Sequence, residues 1–419
     1  MINNPLINTF RNLKGNAKPI VLTEPLWGIP YFLYSPYVSV YMLALGVKDS
    51  QIGLIATIGL VFQIFFALLS GVITDKLGRK RTTLIFDLLS WSVSIVIWAI
   101  ARDINYFILA VIVNAAWRVP STSWSCLLVE DTPQEQLVPI YSWIYISGLL
   151  VAFFSPIAGL LIRWYSLVPT MRGLYALAFV MMTFKFLIMN HYVKETRQGL
   201  VRMQETRDQP LFAVLGEYRG VFSHILKSPK IRVAFSIWLV LAISMMINST
   251  FWAVNVTQRL HISDQSIAYY QFARSLVMLA LYFIFMPRIS LLPFKKPMLI
   301  GFIGWVLSQT LLVIIPAQNY LLLLVSVLLE AISSVLVNPF LDTMVVRSVD
   351  PQERARIMAL MAVVVITLTS PFGWIAGRLS EMNRALPFVL NIALFAMGAV
   401  LVVIAGRVDD NDRVEIREQ

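Results

Sequence analysis

Two ionisable side chains lie deep inside long apolar runs of this sequence. Arg118 follows Asn114 and Trp117 in the fourth run, and Glu330 lies at the centre of the tenth. A charged side chain at the bilayer centre costs about 2.5–3.5 kcal/mol on insertion scales, so it must face water, a partner helix or an interface. Arg118 can attract an anionic or hydrogen-bonding group, and Glu330 can take up and release a proton. The two residues could equally form local or interhelical ion pairs, and the sequence leaves that alternative open.

Aromatic and amide side chains recur in other apolar runs. Tyr34 belongs to a row of aromatic residues in the first run, Asn248 and Trp252 share a helical stripe in the seventh, and Gln271 lies in the eighth. Such groups bind amphipathic or sugar-like solutes by stacking and hydrogen bonding. They also serve as packing contacts between membrane helices. We favour solute binding for the seventh run and leave both interpretations open for the first.

The composition indicates a polytopic membrane protein. Of 419 residues, 58% are hydrophobic and 14% are charged, far more apolar surface than a soluble domain needs. The net charge of +11 does not indicate nucleic-acid binding, because the cations fall in short breaks between apolar runs. The single cysteine, Cys126, excludes an internal disulfide. The first twenty or so residues lack the apolar core and cleavage site of a signal peptide.

Twelve membrane spans are predicted, an even number that places both termini on one side. Most Lys and Arg residues fall in the breaks on that side, so the positive-inside rule predicts cytoplasmic termini. The predicted spans are 22–45, 50–73, 82–101, 105–129, 138–162, 172–192, 232–256, 266–287, 297–315, 319–343, 356–378 and 386–406.

The chain divides into two halves of six spans. The predicted segments are an N-terminal bundle at 1–193, a linker at 194–230 and a C-terminal bundle with its tail at 231–419. The second half of the linker has apolar residues at helical spacing, which predicts either a short amphipathic helix or a plain connection. Ser155-Pro156 in the fifth span recurs as Ser370-Pro371 in the eleventh, which indicates a parallel duplication.

The break between the second and third spans carries the most specific motif. It runs Gly71-Val-Ile-Thr-Asp75-Lys76-Leu-Gly78-Arg79-Lys80-Arg81, with one acid, two glycines and four cations. We expect a tight polar loop in which Gly71 and Gly78 allow close approach and a sharp reversal. This pattern, at this place in the hydropathy profile, resembles the loop between the second and third helices of major facilitator superfamily transporters.

The resemblance implies an all-α integral membrane fold of twelve transmembrane helices in two six-helix bundles. Spans one, four, seven and ten would line a central cavity. The candidate substrate-binding residues are Tyr34, Asn114, Trp117, Arg118, Asn248 and Trp252 on these spans and Gln271 in span eight, with Glu330 as the proton-coupling residue. By resemblance, Asp75 would latch the two halves near the end of span eleven in the outward-open state, and Gly78 would permit the tight turn.

The resemblance also assigns partners to the loop. Arg79 would pair with an acid at the end of span four, either Glu130 or Asp131. We expect Asp87, in span three, to brace the loop cations, and Lys185 to reach from span six toward the cytoplasm. The candidate conformational-switch residues are Gly71, Asp75, Gly78, Arg79, Asp87, Glu130 and Asp131.

These features predict a secondary transporter that moves a small-molecule substrate across the plasma membrane by alternating access, coupled to protons. Gly148, Pro156 and Gly159 partly match an exporter signature of the family, which slightly favours export. The cavity candidates include one arginine and one glutamate rather than a cluster of acids, so export of a drug-like or amphipathic solute ranks first. Transport of a sugar or organic anion, and a non-transporting nutrient sensor, stay open. No P-loop and no His-Glu-x-x-His motif occurs, which argues against ATP-driven transport and against an enzyme. We expect no cofactor and no metal, no nucleic-acid partner, contact with membrane lipids, and a monomer.

Overall fold

The computed structural model describes residues 13–206, 229–284, 294–347 and 354–418, and within them the chain is helical with no β-strand. The first helices are α1 Ala17–Tyr34, α2 Val38–Ala44, α3 Asp49–Leu77, α4 Arg79–Asp87, α5 Ser94–Ala99, α6 Ile104–Ala115, α7 Arg118–Val129, α8 Gln134–Val151, α9 Ser155–Tyr165, α10 Leu167–Tyr192 and α11 Arg197–Glu205. The later helices are α12 Pro229–Gln258, α13 Ser266–Ile284, α14 Lys295–Ile314, α15 Tyr320–Arg347, α16 Arg354–Met382 and α17 Leu386–Glu418.

Among the described residues, ten helices are long and apolar enough to cross a membrane. They are α3, α4 with α5, α6 with α7, the end of α8 with α9, α10, α12, α14, α15, α16 and α17. The predicted first and eighth spans are also helical, as α1 with α2 and as α13, but they fall outside this set of ten. The count of twelve spans and the side of the termini therefore stay predictions.

Short irregular turns divide several of the spanning helices. A 3₁₀ turn at Ser35–Tyr37, which contains Pro36, joins α1 to α2, and a π turn at Leu88–Val93 joins α4 to α5. The fourth span breaks after Ala115, because Pro120 has no N–H to bond to the Ala116 carbonyl. Arg118 is consequently the first residue of α7.

The described chain forms two compact units. The first comprises the described residues of Met1–Val47 and Ile58–Gly216, and the second those of Lys48–Thr57 and Glu217–Gln419. In the first unit α10 packs against α1 and α4 packs against α7. In the second, α14 packs against α15 and α17, while α12 packs against α16 and α17.

The first eight residues of the second predicted span, 50–57, belong to the second unit, whereas the sequence division placed them with the N-terminal bundle. Glycines explain the close packing there, since a Cβ at Gly53 would fall 2.7 Å from the Gly377 Cα. The Thr57 hydroxyl donates to the Ser370 carbonyl and accepts from the Trp374 N–H, each at 2.8 Å. Thr57 thereby links the two ends of the helical turn from Ser370 to Trp374, next to Pro371.

The linker is described only up to Thr206. Its first part, for which the sequence predicted no helix, forms the helix α11 at Arg197–Glu205. The Thr196 side chain caps this helix by accepting from the Gly199 N–H at 2.9 Å. The amphipathic helix predicted for the second half of the linker lies outside the described residues.

Candidate functional site

Glu330 lies at the meeting point of three helices of the second unit. Its Oε1 atom on α15 is 3.1 Å from Arg274 Nη2 on α13 and accepts a hydrogen bond of 3.0 Å from Asn248 Nδ2 on α12. The Glu330 residue is 8% exposed, whereas the Arg274 side chain is 30% exposed. The glutamate therefore takes part in the local ion pair that the sequence left open as an alternative.

Two polar atoms at this ion pair have unused hydrogen-bonding capacity. Asn248 Oδ1 and Arg274 Nε are buried and form no hydrogen bond with any described residue. An unsatisfied buried polar group costs about 1–3 kcal/mol, so both atoms favour an additional polar partner. The ion pair thus has one free acceptor and one free donor beside Glu330.

The two remaining candidates of the second unit are near this group along the chain. Trp252 follows Asn248 by one helical turn, is buried, and packs edge-on against Tyr270 with ring centroids 6.3 Å apart. Gln271 precedes Arg274 by about one turn of α13 and is partly exposed. Trp252 is thus held by packing, while Gln271 lies on the same helix as the arginine of the ion pair.

Arg118 is the centre of a separate polar group in the first unit. Its Nε donates to Gln63 Oε1 on α3 at 3.0 Å, and its guanidinium carbon lies 4.1 Å from the centroid of the Trp117 ring. This distance is within the range of cation–π attraction. Within the described part of the chain no carboxylate pairs with Arg118, and its two terminal amino groups donate no hydrogen bond to a described residue.

Asn114 and Tyr34 are occupied by contacts within the protein. Asn114 Nδ2 donates to the Ser90 carbonyl at 2.8 Å, a carbonyl of the π turn. The Tyr34 ring is buried, with its centroid 5.1 Å from that of Tyr175 and 5.6 Å from that of Tyr31. These contacts agree with the packing interpretation that the sequence left open for Tyr34, and they give Asn114 a role in holding the π turn.

A cluster of charges surrounds Arg79 at the start of α4. The Arg79 side chain, 5% exposed, donates to Asp75 Oδ1 at 3.0 Å and to Glu130 Oε1 at 3.1 Å. The Thr196 hydroxyl donates to the other Glu130 oxygen. The pairing of Arg79 with an acid at the end of the fourth span is present in the structure, and the acid is Glu130. Asp131 is exposed and forms no ion pair among the described residues.

Residues that follow the sixth span complete this cluster, and the sequence analysis did not identify them. The Glu195 carboxylate accepts from the backbone N–H groups of Arg79 and Lys80, both at 3.0 Å, where it compensates the positive end of α4. Arg202 on α11 pairs with Asp75 Oδ2 at 2.9 Å. The hydrogen bonds that Asp75 accepts raise the pKa of the Arg202 guanidinium. No local pattern marks these partners, because each is more than 100 residues from the loop in sequence.

The two glycines of the motif have different environments. Gly78 joins α3 to α4 with φ 82° and ψ 159°, a backbone conformation adopted almost only by glycine. Gly71 lies within α3, and an added Cβ there would meet nothing within 4 Å. The expectation of a sharp reversal is therefore met at Gly78, whereas the expectation of close approach at Gly71 is wrong because that position faces open space.

Substitution of these glycines by alanine is expected to have opposite effects. Gly78→Ala forces a side chain into a glycine-only conformation and toward Glu195 and Met203, so we expect destabilisation by about 1–3 kcal/mol. Gly71→Ala is the matched control and should stabilise the helix by up to about 1 kcal/mol. Thermal unfolding of the two purified variants measures the difference. Equal melting temperatures would contradict the assignment of the turn to Gly78.

Asp87 does not contact the loop cations, contrary to the prediction. It is buried at the end of α4, where the charged groups that act on it are Lys185 and Glu24. Lys185 does not extend to the membrane surface either, because its ammonium is buried 3.0 Å from Glu24 Oε2. The loop cation Arg79 is already neutralised by Asp75 and Glu130, so it does not require Asp87 as a further counter-charge.

Comparison with known proteins identifies the family to which this fold belongs. The chain matches the family model of the Major Facilitator Superfamily over residues 27–253 and 233–418. No curated protein matches the chain.

Solved transporters have a similar fold at low sequence identity. The nucleoside transporter NupG superposes with a TM-score of 0.69 at 15% identity, over 94% of this chain and 99% of that chain. A POT family transporter in complex with 5-aminolevulinic acid gives a TM-score of 0.71 at 13% identity, over 93% and 94% of the two chains. The human organic anion transporter MFSD10 (TETRAN) gives 0.59 at 17% identity, over 95% and 98%.

The family match covers nearly all of the chain, and it agrees with the ten membrane-length helices and with the motif around Asp75. The chain therefore belongs to the Major Facilitator Superfamily and is a multi-pass membrane transporter, not an enzyme.

Proposed function

We propose that this transporter moves an amphipathic organic anion by alternating access, coupled to protons. The observation that carries the proposal is the arginine of the first unit, Arg118, which has no carboxylate partner among the described residues. A partly buried guanidinium without a counter-charge is costly in a membrane protein and favours an anionic ligand. The proposal narrows the two solute classes left open by the sequence to one that is both amphipathic and anionic.

The surroundings of Arg118 fit such a solute. Gln63 holds Nε, which leaves the two terminal amino groups free to bind a carboxylate or phosphate in a bidentate manner. The Trp117 indole beside it offers an apolar face for the rest of the solute. Arg118 also begins α7, and the positive end of a helix inside the membrane favours negative charge.

Glu330 is the residue that we propose to couple transport to protons. As a carboxylate it pairs with Arg274 and accepts from Asn248, whereas a protonated Glu330 would lose the charge that holds Arg274. Proton uptake would therefore free Arg274 and its buried Nε. We propose export as the direction, on the partial exporter signature formed by Gly148, Pro156 and Gly159.

The role of Arg118 is tested by ligand binding to the purified protein. We would measure thermal stabilisation by anionic, neutral and cationic members of one amphipathic scaffold, together with counterflow exchange in proteoliposomes. We expect the anionic member to bind best and Arg118→Gln to weaken its binding by about tenfold or more, the loss of one charge-assisted hydrogen-bond pair. The exposed Arg163→Gln of the same unit is the matched control.

Two outcomes would contradict this assignment. Unchanged anion affinity in Arg118→Gln would show that Arg118 does not bind the solute. A preference for cationic members of the scaffold would refute the anionic substrate class. Stabilisation by a solute without any flux would instead favour the nutrient sensor over a transporter.

A further inference from the structure

A third group of ionisable side chains lies inside the first unit, and the proposed function uses none of it. The Lys185 ammonium on α10 is 3.0 Å from Glu24 Oε2 on α1, and Asp87 on α4 lies within electrostatic range of both. Lys185 is 5% exposed and Asp87 is 7% exposed. These three residues form what we term the Asp87 cluster.

The three residues lie at one depth in their helices. Glu24 and Asp87 lie about two turns after the first residues of α1 and α4, and Lys185 lies about two turns before the last residue of α10, roughly 10 Å from each helix end. This depth is within the apolar part of the spanning helices. An uncompensated charge is expensive there.

The charges of the Asp87 cluster do not balance. One ammonium faces two carboxylates, so the cluster carries one net negative charge when all three groups are ionised. The helix α7 also packs against α4, but its one charged side chain, Arg118, donates to Gln63 on α3 instead. The helix α6 packs against the π turn that follows α4.

Other cations do not supply the missing positive charge. Arg79, on the same helix as Asp87, is paired with Asp75 and Glu130. The described charged groups that act on Asp87 electrostatically include one cation, Lys185, and one carboxylate, Glu24. The simplest way to neutralise the cluster is to bind one proton.

The backbone beside Asp87 is also unusual. The π turn Leu88–Val93 follows Asp87 directly, and π turns are rare and concentrated at functional sites. The turn is stabilised by Asn114, whose side chain donates to the Ser90 carbonyl. Trp27 covers the cluster, with its ring centroid 5.9 Å from Lys185 Nζ and 5.0 Å from the ring centroid of Trp91.

We propose that Asp87, with Glu24 and Lys185, forms a proton-binding site within the first unit. One proton added to the carboxylate pair converts a –COO⁻ group into –COOH and makes the cluster neutral, and its release restores the negative charge. The role of this site in transport rests on the proposed proton coupling. In that cycle the cluster carries one proton in addition to the proton on Glu330.

Infrared spectroscopy of the full-length protein in lipid bilayers tests the site directly. In protein that also carries Glu330→Gln, so that the proposed coupling carboxylate gives no signal, we expect the carbonyl band of a protonated carboxylic acid to grow as the pH is lowered from mildly alkaline to mildly acidic, and Asp87→Asn to remove it. Glu381→Gln is the matched control, because Glu381 is an exposed carboxylate paired with Arg378 at 3.6 Å. It should leave the band unchanged.

Two further variants separate a charge effect from a general structural disturbance. Lys185→Met removes the positive charge, so the band should persist to higher pH. Glu24→Gln removes the competing negative charge, so Lys185 stabilises the Asp87 carboxylate alone. The band should therefore appear only at lower pH. These shifts in opposite directions also keep the test decisive if Asp87→Asn does not fold. Absence of the band in the Glu330→Gln protein, or shifts of both variants in the same direction, would overturn the proposal.

Counting protons per solute in proteoliposomes separates this inference from the proposed function. We expect Asp87→Asn to move one proton fewer per solute than the unmodified protein. An unchanged proton count in a transporting Asp87→Asn protein would overturn the role of the cluster and leave the proposed function standing. No proton movement in the unmodified protein would refute the proposed coupling, and the infrared titration would then decide the proton-binding site by itself.

Discussion

Glu330→Gln is expected to abolish solute accumulation driven by a pH gradient while sparing counterflow exchange. The glutamine retains an oxygen that can accept from Asn248 and Arg274, so the contacts of the site persist. It cannot gain or lose a proton, so the pH gradient no longer acts on the pairing of Glu330 with Arg274. The proton of the Asp87 cluster does not drive accumulation by itself, because it leaves that pairing unchanged. Proteoliposomes with and without a pH gradient provide the measurement.

The control for this experiment is Glu381→Gln, which neutralises an exposed carboxylate of the same unit. It should leave both driven accumulation and counterflow unchanged. If Glu330→Gln retains full driven accumulation, Glu330 is not the coupling residue. A loss of counterflow together with driven accumulation would show that Glu330 supports solute binding or folding rather than coupling.

Arg79→Met is expected to destabilise the protein by about 3 kcal/mol, because it leaves the carboxylates of Asp75 and Glu130 without their shared buried partner. This loss of stability is at the lower end of the range usual for breaking a buried ion pair, since Arg202 still pairs with Asp75 and Thr196 still donates to Glu130. Denaturant unfolding in detergent measures the change.

The matched control is Arg378→Met, which removes an exposed arginine whose partner carboxylate lies 3.6 Å away. An exposed pair of this kind contributes little, so its stability should change by no more than about 0.5 kcal/mol. The double variant Arg79→Met with Glu130→Gln should cost less than the sum of the single variants, because it no longer leaves Glu130 as an unpaired charge. Additive costs would show that the two residues do not interact.

Local patterns in the sequence were sufficient for several features. The apolar runs predicted membrane-length helices, ten of which the structure contains among its described residues. The glycine in the motif around Gly78 predicted a sharp turn, since a turn of this kind requires a residue without a side chain. The family resemblance predicted that Arg79 pairs with either Glu130 or Asp131, and the structure has Glu130 as the partner.

Partners between distant helices could not be predicted. The sequence marked Glu330 and Arg118 as unusual. It did not identify Arg274 as the partner of Glu330. It also did not identify Gln63 as the partner of Arg118. A lone glutamine inside the second apolar run was a signal for Gln63, since an amide in hydrocarbon requires a partner. Arg274 was likewise visible as an intramembrane cation.

Hydropathy and motif spacing by themselves determined that this chain crosses a membrane many times and which ionisable residues lie at depth. Only the tertiary structure decided which of these residues neutralise each other. Lys185 was expected to reach the membrane surface and Asp87 to brace the loop, yet they share the interior of the first unit with Glu24. The physical reason is that an ion pair depends on the rotation and relative depth of two packed helices, which no local pattern of either helix encodes.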